Sequence, residues 1–151
     1  MRHLLPSLVA MAFLSMPALA SDTANHTVTV TVSAVNEVAI GGGNVSLNIG
    51  SSYSAADATT ADLSWSTNES DKKITVVSNQ EVIEYPLVLT ATSVSGGTSS
   101  GAVTLSNVAQ DLVTGISLTN GTADLSYSAS ATAGSGTGVE AHTVTFTILA
   151  S

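Results

Sequence analysis

Beyond its first twenty residues the chain holds two histidines, His26 and His142, and no cysteine. A serine nucleophile needs a histidine within hydrogen-bond reach, oriented in turn by an acid. Each histidine begins an alternating apolar stretch, one near each end of the chain, and no serine–histidine–acid motif surrounds either. Without cysteine there are no thiol nucleophiles, thiolate metal ligands or disulfides. The two histidines could meet if the terminal stretches pair, within one chain or between two. Two ligands are too few for a metal site, so a pH-sensitive contact is the chemistry left to them.

Carboxylates come in near pairs: Asp57 with Asp62, Glu69 with Asp71, Glu81 with Glu84. None has the spacing of a calcium-binding loop, and solvated loops account for them. Asp57 and Asp62, flanking a run of small residues, are the candidates should calcium bind. No other cofactor is expected. A glycosidase acid pair needs a cleft lined with aromatics. One Trp and three Tyr make that improbable. Four Asn-x-Ser/Thr sequons occur, at Asn25, Asn44, Asn68 and Asn120. With about a third of the residues past residue 20 being Ser or Thr, two or three are expected by chance. The residues thus announce no reaction, and no catalytic residue is assigned.

Eleven Asp and Glu face three Lys and Arg, a net charge of −8. Past residue 20 only Lys72 and Lys73 are basic. Phosphate neutralisation needs Lys or Arg, so nucleic-acid binding is close to excluded. An anionic membrane surface is disfavoured for the same reason.

Residues 1–20 have the pattern of an export signal. Arg2 and His3 precede a short apolar core, Leu4 to Met16, and Ala18-Leu19-Ala20 is a small-x-small cleavage pattern before Ser21. The apolar stretch is too short, and broken by Pro6 and Pro17, to be a good membrane span. No later segment is long and apolar enough to span. The expectation is a secreted, extracellular protein whose residues 21–151 form one domain.

The elements that must carry any site are strands. His26-Thr27-Val28-Thr29-Val30-Thr31-Val32-Ser33-Ala34 alternates without a break, so Val28, Val30 and Val32 share a face. A short apolar piece, Val38 to Ile40, leads into the turn Gly41-Gly42-Gly43-Asn44. Val45, Leu47 and Ile49 mark a second strand, and 50–61 reads as a loop anchored by Tyr53. Residues 62–67 and 72–78 read as a hairpin about the turn 68–71, with Leu63, Trp65 and Ile74 facing the core. Pro86 opens a strand at 87–94 carrying Leu89. Ser95–Gly101 is a loop, and Val103 and Leu105 mark a short strand. Residues 108–116 are less periodic; Val108, Leu112 and Val113 fit one helical turn. Residues 122–131 place Leu125 and Tyr127 in phase, and 133–138 is Gly-rich. The last strand, 140–150, aligns His142, Val144, Phe146 and Ile148. About eight short strands with turns every ten or so residues predict an all-β, antiparallel β-sandwich or barrel. Trp65, Leu63, Ile74, Leu89, Leu125 and Tyr127 are its expected core.

This layout resembles the exported pilin-like, immunoglobulin-like β-sandwich subunits of fimbriae, which assemble by donor-strand complementation. In that family a subunit lacks one strand, and the N-terminal extension of a neighbour fills the groove. Val28, Val30 and Val32 look like the donor stretch. His142-Thr143-Val144-Thr145-Phe146-Thr147-Ile148 looks like the strand bordering the groove, with Val144, Phe146 and Ile148 facing it. Chaperone-assembled pilins carry a glycine about fourteen residues from the end, where Gly138 stands. Their penultimate tyrosine is replaced by Ala150, and their disulfide is missing. The resemblance is therefore to cysteine-free filament subunits that need no chaperone. It implies a signal peptide at 1–20, a donor segment at 21–36 and a sandwich at 37–151. It also implies a cell-surface filament built head to tail from copies of this chain. The rival expectation is a secreted binding module or adhesin for a carbohydrate or surface partner, working through Trp65, Tyr53 or the 95–101 loop.

Overall fold

The computed structural model describes residues 23, 25–81 and 84–151, without the side chains of 58–60. The signal-peptide assignment at 1–20 lies outside the described residues. Among those described, no helix is long and apolar enough to cross a membrane. The chain divides into two units, residues 1–32 and 33–151. In the first, residues 25–32 belong to no helix or strand, and Val28, Val30 and Val32 are 72%, 80% and 79% exposed.

The second unit is all-β and antiparallel. Its strands are β1 (Asn36–Gly42), β2 (Ser54–Thr67), β3 (Lys72–Ser78), β4 (Leu87–Ser95), β5 (Thr98–Ser99), β6 (Ala102–Thr104), β7 (Gln110–Ile116), β8 (Thr119–Ser130) and β9 (Val144–Ala150). One sheet runs β1-β2-β8-β4-β6, the other β5-β7-β3-β9. Period-two patterning turns one face of each strand inward. Leu63 and Trp65 of β2, Leu89 of β4, and Leu125 and Tyr127 of β8 meet Ile74 and Val76 of β3 and Leu112 of β7 in one buried cluster. The six residues expected in the core are all buried, Leu63, Ile74 and Leu89 completely. A cluster of this kind contributes about 1.5–3 kcal/mol per large side chain removed from water.

Residues 26–34 form no strand within the chain; the first ladder starts at Asn36. Four expectations need correction. Residues 45–49 also pair with nothing, although their alternation persists. The loop expected at 50–61 is mostly β2, whose first residues, Ser54 to Asp57, pair with Tyr127 to Ser130 before the register slips between Asp57 and Ala61. The hairpin expected from 62–67 and 72–78 does not form, because the turn carries the chain from one sheet to the other. It does so through Asp71, at a φ of 56°. Residues 110–116 are a strand, not a helical turn; the β3–β7 register slips around Ile74, and Leu112 and Val113 are both buried. A bulge of this kind places consecutive side chains inward and breaks the two-residue period.

Candidate functional site

The backbone of β9 defines the site. Asn79 N–H donates to the Thr143 carbonyl at 3.1 Å, and Ser151 N–H donates to the Asp71 carbonyl at 2.8 Å. In the β3–β9 register Thr145 stands opposite Val77 and Thr147 opposite Thr75. The N–H and C=O of one residue point to the same side of a strand, and the side alternates along it. The odd-numbered residues of β9 therefore bond to β3. Val144, Phe146 and Ile148 aim their N–H and C=O groups at the opposite edge, where no strand pairs among the described residues. Their side chains turn inward yet stay only half-buried.

Beside this edge the two sheets enclose a groove of about 880 Å³. Ala61, Leu87, Tyr127 and Ala129 line it from one sheet, and Val144 and Phe146 from the other. Val45, Leu47 and Ile49 line it from the unpaired strip after β1. Burial in this apolar wall pushes the Tyr127 hydroxyl up to about 12. At the far end β1 comes alongside β9 without pairing to it.

A polar cluster borders the mouth of the groove, where Glu140 and His142 line it. Ser78 Oγ and His142 Nδ1 share a hydrogen bond of 3.0 Å, and His142 Nε2 lies 3.8 Å from Glu140 Oε2. This is a serine, a histidine and an acid in a row, which the sequence spacing did not reveal. Its geometry is that of a clamp. Ser78 is 1% exposed, and its oxygen accepts the Gln80 N–H at 3.3 Å. Glu140 Oε2 also accepts the Tyr85 N–H at 3.0 Å, and Thr143 N–H donates to Asn79 Oδ1 at 2.7 Å. Together these bonds fix the segment 140–143 that leads into β9. Gly138 belongs to the same mouth; a Cβ there would stand 2.8 Å from the Tyr85 hydroxyl.

The other expected site residues scatter. Asp57 and Asp62 do not flank a loop but lie within β2, and Asp62 faces Asp124 across the β2–β8 ladder. Among the described residues no three His, Asp or Glu side chains gather as metal ligands would. His26 is exposed in the first unit, while His142 lines the groove. Trp65 is buried, with its Nε1 unpartnered. Tyr53 is 47% exposed and reaches the groove with Tyr85. The alternation at 45–49 was legible as a strand, but the absence of a ladder there was not. The Ser78–His142 contact had only one sequence signal, that Ser78 ends one alternating run and His142 begins another.

Compared with known proteins, the chain matches no family model, no curated protein and no solved structure.

Proposed function

We propose that this protein is a structural subunit of an extracellular filament. Its N-terminal segment inserts as a strand into the groove of the next copy, and subunits join head to tail. On this reading the two sheets form an immunoglobulin-like, pilin-like sandwich, exported after removal of a signal peptide. One observation carries it: the chain presents both halves of a joint, each unpaired. One half is the β9 edge with its half-buried Val144, Phe146 and Ile148; the other is the exposed Val28, Val30 and Val32.

The physics favours joining them. Residues 27–34, extended at about 3.3 Å each, span roughly 26 Å, enough to cross a sheet edge. Burying three valines is worth about 1.5–3 kcal/mol each, before the cost of association. A bare sheet edge over an apolar groove is a surface that natural proteins keep covered. Because donor and groove are different surfaces, the contact is head to tail, and such contacts build filaments wherever their rotation does not close a ring. Strand addition also needs no basic residue, metal or nucleophile, which suits this composition.

The test is negative-stain electron microscopy of residues 21–151 beside residues 33–151. The shorter chain keeps Ser33 and Val35, which Asn68 holds through its side chain. Filaments from the longer chain alone are the expected result. Monodisperse monomers from both would overturn the proposal and favour a binding module, with Tyr53 and Tyr85 at the groove as its contact residues.

A further inference from the structure

We propose that residues 44–49 are a placeholder strand, which residues 27–33 of a second copy displace from the groove during polymerisation. This rests on the filament reading above. Val45, Leu47 and Ile49 are half-buried, while Asn44, Ser46, Asn48 and Gly50 are exposed. That is the burial of a strand with one face inward. Val45 and Leu47 pack against the main core cluster. Yet the strip joins no sheet. Among the described residues none of 44–49 makes a backbone hydrogen bond outside regular structure, and the nearest such bond lies just beyond the strip, where the Gly50 carbonyl accepts the Tyr53 N–H at 3.0 Å. The strip lines one wall of the groove with its side chains, and it leaves the β9 edge groups of Val144, Phe146 and Ile148 without a ladder.

The incoming segment has the same pattern and better strand chemistry. Val28-Thr29-Val30-Thr31-Val32 reads apolar-polar-apolar-polar-apolar, as does Val45-Ser46-Leu47-Asn48-Ile49. All five residues of the first are β-branched, the type enriched in strands; the second includes Asn48 and Ser46, which are not. The donor can therefore reproduce the three apolar contacts and add a ladder on β9. The strip is also free to leave. Gly43 and Gly50 flank it with nothing within 4 Å of their missing side chains, and Gly42, at a φ of 83°, ends β1. Glycines at both ends absorb the backbone rotation that a swing outward requires. A subunit so built keeps its groove covered until another copy arrives.

The experiment is hydrogen exchange on residues 21–151, as monomer, as filament, and as monomer with an added peptide spanning 25–34. Protection at 144–149 should rise about tenfold or more on strand addition, while protection at 44–49 falls. A rise at 144–149 with 44–49 unchanged would overturn the placeholder and leave the filament reading standing. No rise at 144–149 in any sample would overturn both. The variant Val45→Ser/Leu47→Ser/Ile49→Ser, if folded by its Trp65 fluorescence, should polymerise with a shorter lag; a longer lag would count against displacement. If that variant does not fold, the exchange data on the unaltered chain decide alone.

Discussion

Gly121 stands directly opposite Trp65 in the β2–β8 ladder, and the indole occupies the space its side chain would take. A Cβ built on Gly121 would lie 2.2 Å from Trp65 Cε2 and 2.5 Å from the Ser95 carbonyl oxygen. The indole N–H is buried without a partner, so shape alone seats the ring. Gly121→Ala should therefore destabilise the fold by about 1–3 kcal/mol or more, as overpacking does. Trp65 is the only tryptophan, so urea unfolding followed by its fluorescence reads the change directly. An unchanged midpoint would mean that Trp65 does not pack on β8. The same burial removes the best sugar-stacking side chain from the binding-module reading.

The N-terminal valines should matter to assembly and not to the fold. Val28, Val30 and Val32 are at least 72% exposed, and exposed substitutions usually shift stability by less than about 0.5 kcal/mol. The triple variant Val28→Ser/Val30→Ser/Val32→Ser should melt with the unaltered chain and form no filaments. Circular dichroism and electron microscopy on the same sample check both halves. A large loss of melting temperature would place these valines in their own subunit's core.

How much of this was legible beforehand depended on the reach of each signal. The core was legible because burial of one strand face writes itself as a period of two: Leu63 with Trp65, Leu125 with Tyr127. Pairing was less so. The turn 68–71 looks the same whether β2 and β3 pair or turn a corner between sheets, since its residues fix only local geometry. The bulge around Ile74 hid β7 by burying Leu112 and Val113 in succession. The groove was implied only by family resemblance, because an unpaired edge is a property of the whole sheet order. The clamp of Ser78, His142 and Glu140 joins residues 64 apart through a bond that no local spacing encodes.

Acid should loosen the edge strand β1. Glu69 accepts a hydrogen bond from Asn36 at the start of β1 and pairs with Lys72 Nζ at 2.9 Å. The Asn36 bond first, and then Lys72, hold its carboxyl below the ordinary value of 4.5. A carboxyl lowered by folding stabilises fully above its unfolded pKa, and that contribution is lost as pH falls through the lower folded one. Glu69 is solvent-exposed, so the effect is small. Melting curves from about pH 6 down to about pH 3 should converge for the unaltered chain and Glu69→Gln as the carboxylate is titrated. A difference between the two that stays constant across this range would show that the charge on Glu69 holds nothing.

Proline placed along β9 separates its two edges. Thr145 N–H belongs to the β3 ladder, so Thr145→Pro removes a bond and leaves a carbonyl of β3 unpaired, a cost of about 1–3 kcal/mol. Val144 N–H points to the open edge, where proline is tolerated because no bond is lost within the chain. Val144→Pro should therefore leave the monomer close to its original stability, less the packing of one half-buried valine. It should still slow or abolish polymerisation, because an added strand finds a missing donor and a proline ring where its ladder begins. Thr145→Pro should lower stability first and assembly only in consequence. Denaturant midpoints and filament yield, measured together, distinguish the two variants. Filaments at full yield from Val144→Pro would show that the edge of β9 at this residue takes no strand.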